Sequence, residues 1–279
     1  MSGDLGRYNT PIIKDPTTVE YAEYLVVEST YGNKLHAHED TVGRLEEIVK
    51  DAFADGGTVL IPSFSIGRTQ EMLYYFRQLQ DQGRMPRIPI YIDSPMAISA
   101  TRLYADCTDE HDKEMKIAIN NDESPLEPHL LTLVRDREQS KALNSSKGPM
   151  IIIAGSGMAT GGRIVHHMIH RLGDPTTTLV FTGYQGEGTL GRKLIEGESP
   201  VYIHHQEVHV RAKVTKLNSL SAHADQEEIL TWLGKFKAAP KHTFIVHGEP
   251  PAQHVLRDKI VEQFGWEVTI PKQGEVFPL

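Results

Sequence analysis

The sequence predicts an α/β protein with a largely parallel β-sheet, because short apolar runs alternate along the chain with segments of helical periodicity. The runs at 58–62, 150–154 and 178–181 are almost continuously apolar, which is typical of strands that are buried on both faces. Strands that alternate with helices are joined by crossover connections, and these connections cover both faces of the sheet with helices.

Taken in chain order, the predicted elements begin with a strand at 24–28, which ends in the charged residue Glu28, and a helix from about 38 to 54. The next elements are a strand at 58–62, a helix at 69–80, a strand at 90–92, a helix at 96–105, a strand at 150–154, a helix at 163–172 and a strand at 178–181. Residues 106–148 are polar and charged, so we expect a mostly helical stretch there and assign no boundaries.

The pattern changes after Pro200. The segments 201–203 and 208–214 alternate between apolar and polar residues in the manner of antiparallel strands. They are followed by a helix at about 226–236, a strand at 243–246, a helix at 252–264 and a short strand near Val268.

Composition restricts the classes of function. A net charge of −8 does not suggest a protein that coats nucleic acid non-specifically, although a metal centre can still bind phosphates locally. The single cysteine, Cys107, cannot form an internal disulfide, which favours a reducing cytoplasm. No apolar run approaches the roughly 20 residues of a membrane-spanning helix, so we expect no membrane partner.

Two loops that follow predicted strands, at 61–68 and 154–163, each combine hydroxyl groups and glycine with an arginine. In such loops backbone N–H groups can approach an anion closely, and the next helix adds a favourable potential. Small residues also form ordinary tight turns, but two such loops and a third at 181–186 favour a phosphate-lined cleft. The candidate phosphate-binding residues are Ser63, Ser65, Arg68, Ser156 and Gly157. Neither loop contains the Gly-Lys-Ser/Thr of nucleotide hydrolases, so nucleotide hydrolysis is disfavoured.

Four further polar residues are candidates: Asp4 lies in a loop, and Glu28, His223 and His247 each lie just beyond an apolar or small-residue run. They belong to the segments Ser2-Gly-Asp-Leu-Gly-Arg7, Val27-Glu-Ser-Thr-Tyr-Gly32, Ser221-Ala-His-Ala-Asp225 and Val246-His-Gly-Glu249. In this order the segments resemble the aspartate motif and motifs A, B and C of the β-CASP nucleases of the metallo-β-lactamase superfamily, in particular the bacterial members similar to the cleavage and polyadenylation specificity nuclease. The segments 62–68, 93–97 and 155–162 are also similar to that family, so the resemblance covers nearly the whole chain.

The resemblance implies a definite architecture. A β-CASP α/β domain with a parallel sheet, at 34–207, would be inserted into an incomplete metallo-β-lactamase αββα sandwich. The sandwich would be formed by the segments 1–33 and 208–279. Strands near Val59, Ile90, Ile152 and Val180 would then belong to one sheet.

The resemblance also implies roles for single residues. Asp4 would bridge two zinc ions and His247 would bind one of them. His223 would protonate the leaving oxygen or stabilise the transition state, and Glu28 would orient His223 and favour its protonated form. Because a histidine in motif C accompanies RNA-processing members, His247 points to RNA as the partner.

One part of the family pattern does not occur. The zinc-binding signature His-x-His-x-Asp-His precedes the aspartate motif in the family, and only three residues precede Asp4 here. The segment 36–40 matches five positions of the signature, but Thr41 replaces the last histidine, and we interpret the segment as the cap of the following helix. The histidines at 166–170 and 204–205 are interpreted as helix-surface or loop residues.

The functional hypothesis follows from these observations. The chain is expected to be part of a zinc-dependent ribonuclease that hydrolyses RNA phosphodiester bonds, truncated at its N-terminus and inactive by itself. Its partners would be RNA and either a second copy or a missing N-terminal half. The alternative is a non-catalytic module that binds RNA or a partner protein, and an unrelated α/β enzyme for a phosphate ligand would require the motifs to be coincidental. Endonuclease or exonuclease action, RNA specificity and oligomeric state remain open.

Overall fold

A computed structural model describes residues 1–37, 39–121, 123–217 and 220–278, and these residues form two compact units. The larger unit consists of Pro11–Ile13 and the described residues of 38–220. The smaller unit consists of Met1–Thr10, Lys14–Ala37 and the described residues from Ser221 onward. Residues 208–217 and Leu220 therefore lie with the larger unit, beyond the limit at 207 that the sequence suggests.

The strands and helices are numbered along the chain. The strands are β1 (Tyr24–Val27), β2 (Thr58–Pro62), β3 (Ile90–Asp93), β4 (Leu131–Leu133), β5 (Met150–Ala154), β6 (Thr178–Phe181), β7 (Val201–Ile203), β8 (Gln206–Val208), β9 (Lys213–Lys216), β10 (His242–Ile245) and β11 (Val268–Thr269). The helices are α1 (Thr41–Ala54), α2 (Arg68–Asp81), α3 (Pro95–Asp106), α4 (Lys113–Asn120), α5 (Arg137–Ser145), α6 (Gly162–Arg171), α7 (Leu190–Ile195), α8 (Gln226–Leu233) and α9 (Pro250–Phe264). None of these helices has the length and apolarity needed to cross a bilayer.

The larger unit is built on a six-stranded sheet with the order β4-β3-β5-β2-β6-β9, in which neighbouring strands run parallel. The strands β2, β5 and β6 are buried along their whole length, as their apolar sequences predict. One face of the sheet packs on a core that includes Leu45 and Phe76, and the other on a core that includes Ile164. The prediction that the strands near Val59, Ile90, Ile152 and Val180 share one sheet is confirmed.

The segment 201–216 differs from the prediction. The strands β7 and β8 form an antiparallel hairpin, and His204 and His205 make its two-residue turn with positive φ angles of 49° and 62°. Strand β9, by contrast, pairs parallel with β6 at the edge of the large sheet, so the alternating segment 208–214 is not one antiparallel strand. Two lysines, Lys213 and Lys216, lie on this edge strand, where charged side chains commonly occur.

The smaller unit contains a three-stranded parallel sheet with the order β1-β10-β11. Its core includes Val27 and Ile245 from the strands, Trp232 from α8 and Leu256 from α9. In the register of the sheet Val27 lies opposite Ile245, so the residues that follow β1 and β10 leave the sheet side by side. This register positions the segments that contain Glu28 and His247.

Candidate functional site

Glu28 follows β1 directly, and its side chain is buried with a relative exposure of 1%. Its Oε1 accepts a hydrogen bond from the amide of Leu5 at 2.6 Å, and its Oε2 accepts one from the amide of Thr30 at 3.3 Å. Both oxygens also lie within hydrogen-bond distance of Nδ1 of His223, at 3.0 and 2.9 Å. The carboxylate is thus held in one orientation by donors from three segments of the smaller unit.

His223 lies in the short loop before α8. Because its Nδ1 donates to Glu28, chemistry on a substrate would fall to its other ring nitrogen, Nε2. Burial by itself lowers the pKa of His223, but the hydrogen bond and charge of Glu28, together with the charge of Asp4, outweigh burial and raise the pKa. The site therefore favours the protonated imidazolium, which is the form that can act as an acid. The predicted distance between Glu28 and His223 is confirmed.

His247 lies beside this pair and follows β10 by two positions. Its ring stacks on that of His223 with a centroid distance of 5.5 Å, and Thr30 Oγ1 lies 3.3 Å from Nδ1 of each ring. The main chain of His247 has a left-handed φ of 51°, and its carbonyl accepts from the amide of Ser29 at 3.2 Å. The position of His247 is therefore fixed by the same strand ends as Glu28.

Asp4 completes the group. Its Oδ1 lies 3.6 Å from Nδ1 of His247, and both side chains are exposed. One ligand atom of each of Asp4, His223 and His247 can be chosen so that all three lie within 4.8 Å of one another. A carboxylate and an imidazole are ligands that zinc accepts, so the donor types fit the metal that the family resemblance implies. The expected proximity of Asp4 and His247 to the Glu28–His223 pair is confirmed.

A second group of three candidate ligands in the described part of the chain is His36, Asp225 and Glu228. Its four carboxylate oxygens already accept hydrogen bonds from the amides of Glu228, His36, Tyr8 and Asp225. This arrangement includes a capping box at the start of α8, so its geometry is explained without a metal. As expected, Asp40 caps the next helix, since it accepts from the amide of Gly43. His36, by contrast, is buried and bonds to Asp225 and to the carbonyl of His223, so it does not solvate the start of the helix. His38 lies outside the described residues.

The candidate phosphate-binding residues belong to the larger unit, and the structure separates them into two kinds. Ser63 and Arg68 are buried: the Ser63 hydroxyl contacts Thr69 Oγ1 at 3.0 Å, and the Arg68 guanidinium pairs with Glu71. Gly157 is buried too. In this conformation the burial of these three residues disfavours direct contact with a phosphate in solvent, and their role in phosphate binding stays a prediction.

Ser65 and Ser156 remain partly exposed. The hydroxyl of Ser65 lies 3.2 Å from that of Ser94, the N-cap of α3, and Ser156 Oγ accepts from the amide of Thr160 at 3.0 Å. Ser94 was not among the predicted residues, although its hydroxyl could have been recognised as a cap before Pro95. The loops after β2, β3 and β5 thus contribute three serines at the carboxyl edge of the sheet.

A buried polar cluster in the larger unit was also missed. The carboxylate of Asp93 accepts hydrogen bonds from Arg163 at 2.6 Å, from Ser140 at 2.5 Å and from Nε2 of His167 at 2.7 Å. Burial by itself raises the pKa of Asp93, but hydrogen bonds from His167, Ser140 and Arg163 outweigh burial and lower it. His167 is fully buried, so its interpretation as a surface residue was wrong. His167 follows Ile164 by three positions and so lies on the same, buried face of α6, a spacing that could have predicted its burial.

Comparison with known proteins connects both units to one family. The model of the Beta-Casp domain matches residues 69–194, and that of the Zn-dependent metallo-hydrolase RNA specificity domain matches residues 207–271. The whole chain is 40% identical to Ribonuclease TTHA0252 of Thermus thermophilus and covers 63% of that protein. It is 29% identical to an RNase J-like protein of Methanocaldococcus jannaschii, covering 64% of it. It is 31% identical to the transcription termination factor FttA of Pyrococcus abyssi, covering 44%.

The chain thus spans less than two thirds of the length of each of these relatives. The two family models nevertheless match consecutive parts of it in the order expected from the motifs. The chain belongs to the β-CASP family of metallo-β-lactamase-type nucleases, which are metal-dependent hydrolases.

Proposed function

We propose that this protein hydrolyses phosphodiester bonds of RNA, with His223 as the acid and with Asp4 and His247 as zinc ligands. The observation that carries the proposal is the contact of 2.9 Å between Glu28 and His223, next to two exposed metal-type ligands. A purely structural role for the Glu28–His223 pair would not explain why two exposed metal-type ligands, Asp4 and His247, lie beside it. Perturbed histidines next to such ligands are typical of catalytic sites.

The role of His223 follows from its protonation. When a phosphodiester is cleaved, the leaving oxygen gains negative charge, and a proton from Nε2 would neutralise it. Glu28 keeps the imidazolium populated and fixes the direction of the ring. A positioned acid of this kind contributes about 10²- to 10⁴-fold to the rate.

Asp4 and His247 would hold zinc. When bound, zinc supplies an activated water as nucleophile and stabilises the charge on the phosphate oxygens. The binuclear form of the site rests on the family resemblance. Catalytic zinc usually has three protein ligands, so two residues alone are expected to bind it weakly. A segment or partner that adds histidine ligands would complete the set, and isolated residues 1–279 are expected to be inactive.

Three observations support RNA as the substrate. The relatives include proteins named as a ribonuclease and an RNase J-like protein. The family model that matches residues 207–271 is described as an RNA specificity domain. The motif C residue is His247, which the family resemblance associates with RNA-processing members. Ser65 and Ser156 would contact the RNA phosphates through their partly exposed hydroxyls.

The test is an assay of cleavage on matched single-stranded RNA and DNA oligonucleotides with zinc, using protein whose zinc ligands are complete. We expect RNA cleavage, and we expect His223→Ala to lower the single-turnover rate about 10²- to 10⁴-fold. RNA binding without any cleavage would instead support the non-catalytic module. Strong zinc-dependent cleavage by isolated residues 1–279, abolished by His247→Ala, would show that other histidines complete the site.

A further inference from the structure

The loop that carries His223 is attached to a buried histidine, His36. Nε2 of His36 lies 2.9 Å from the carbonyl oxygen of His223, to which it donates a hydrogen bond. The amide of His36 donates to Oδ2 of Asp225 at 2.8 Å. His36 therefore bonds to the main chain of His223, before Ala224, and to the side chain of Asp225, after it.

The same loop is attached to the segment that contains Asp4. The amide of Ala224 donates to the carbonyl of Leu5 at 2.8 Å. Glu228, which forms the capping box with Asp225, also accepts from the amide of Tyr8 at 3.2 Å. The main chain at residues 223–225 is thus located relative to the Asp4 segment on one side and to His36 on the other.

The protonation of His36 is suited to this contact. Burial lowers the pKa of His36, and its hydrogen bond to the His223 carbonyl offsets this only in part, so the ring is neutral at neutral pH. A neutral ring carries one proton, and it can donate to a carbonyl from Nε2 only in the Nε2–H tautomer. The ring also packs against Tyr31 in an edge-on arrangement with a centroid distance of 4.7 Å.

We propose that His36 is a positioning residue of this nuclease, and that its Nε2–H bond to the His223 carbonyl fixes the direction in which His223 presents its own Nε2. The neighbours of His223 are alanines: Ala222 is exposed and Ala224 is buried in the core, so neither side chain can hold the His223 carbonyl by a hydrogen bond. A rotation of the carbonyl of His223 would tilt its Cα–Cβ bond and move the ring away from the leaving oxygen. The inference rests on the proposed function, because it assigns a task to the position of His223.

Packing against Tyr31 is the competing explanation, and two variants separate it from the hydrogen bond. His36→Phe keeps a ring for Tyr31 but has no donor. His36→Gln loses the ring but can place an amide donor near the former position of Nε2. The controls are His254→Phe and His254→Gln, the same two substitutions at an exposed histidine of α9.

The first readout is single-turnover RNA cleavage with zinc, measured on the same protein with a completed ligand set as the assay of the proposed function. If the donor fixes His223, His36→Phe lowers the rate about 10- to 100-fold, which is the usual effect of removing such a supporting hydrogen bond. RNA affinity stays unchanged, because His223 acts in the transition state. His36→Gln retains most of the rate. The reverse order, with Phe active and Gln impaired, would assign His36 to packing and overturn the proposal.

The second readout needs neither zinc nor activity. Nitrogen-15 NMR of the unmodified, metal-free chain should show His36 as the Nε2–H tautomer. Finding the Nδ1–H tautomer instead would overturn the proposal. Hydrogen exchange at the amides of Ala224 and Asp225 should become faster in His36→Phe and remain slow in His36→Gln. If His223→Ala leaves the cleavage rate unchanged, the proposed function fails, and the NMR results still decide whether His36 holds the loop.

Discussion

Both carboxylate oxygens of Glu28 lie within 3.0 Å of Nδ1 of His223, although the two residues are 195 positions apart in the sequence. The pair is local to the smaller unit, and its carboxylate is almost entirely shielded from water. The electrostatic effect of Glu28 on His223 is therefore strong and only weakly screened by salt.

Replacing Glu28 with Gln should lower the pKa of His223. The raised pKa means that the pair contributes stability that is fully present below the ordinary pKa of histidine. This contribution is lost as the pH rises through the higher value of the folded protein. An NMR titration of the metal-free protein measures the shift directly, and Glu20→Gln, at an exposed surface ion pair, is the control. An unchanged titration of His223 in Glu28→Gln would contradict the assigned role of Glu28.

Zinc binding by isolated residues 1–279 should be weak and should depend on Asp4 and His247. These residues offer two exposed ligands, and the conversion of either one, by Asp4→Asn or His247→Ala, should remove the remaining affinity. Competition with a chromogenic chelator measures this, with His254→Ala as the control. Tight binding that survives both substitutions would place the metal elsewhere in the chain.

Asp93→Ala should destabilise the larger unit by about 3 to 5 kcal/mol, because it leaves buried His167 and partly buried Arg163 without their carboxylate. The lowered pKa of Asp93 means that its stabilisation is present above the ordinary pKa of aspartate and is lost as the pH falls through the folded value. Urea denaturation at neutral and acidic pH measures both effects. The difference between Asp93→Ala and the unmodified protein should shrink in acid.

The control for this experiment is Glu138→Ala, which breaks the exposed pair between Glu138 and Lys141. Exposed pairs contribute little to stability, so this variant should unfold close to the unmodified protein. If both substitutions lowered the free energy of unfolding equally, the buried Asp93 cluster would contribute no more to stability than an exposed ion pair.

RNA binding should depend on the two partly exposed serines at the carboxyl edge of the large sheet. The double variant Ser65→Ala, Ser156→Ala should weaken the binding of single-stranded RNA, while the slope of affinity against salt remains the same because no charge is removed. Filter binding at several salt concentrations measures both quantities, and Ser145→Ala at an exposed position of α5 is the control. Unchanged affinity would exclude these hydroxyls as phosphate contacts.

The central strands could be predicted because burial on both faces leaves a simple signal in the sequence. Strands β2, β5 and β6 are almost continuous apolar runs, and the structure has each of them with the predicted bounds. Strand β4, by contrast, is a three-residue edge strand, Leu131-Thr-Leu133, with an exposed threonine at its centre, and nothing in so short a segment distinguishes it from a loop.

The candidate site could be predicted in part. The motifs located Glu28 and His223, and the end of each apolar run indicated that their side chains would converge. The burial of His36 could not be read in the same way, because His36 lies in a loop, where no helical spacing marks a buried face. Arg68 was predicted to bind phosphate, but Glu71 follows it at the spacing of a helical ion pair, a signal that favours the pairing seen in the structure.

The parallel pairing of β1 with β10 has a consequence for the order in which the molecule is made. Ser29, next to β1, donates to the carbonyl of Val246, 217 positions later, so the smaller unit cannot close until β10 has left the ribosome. The strand pairing of the six-stranded sheet ends at Leu217, whose amide donates to the carbonyl of Phe181, well before β10 in the chain. A nascent chain can therefore present Ser65, Ser94 and Ser156 at the edge of the large sheet before the contact between Glu28 and His223 has formed. The residues proposed to contact RNA are thus in place before the pair proposed to act on it.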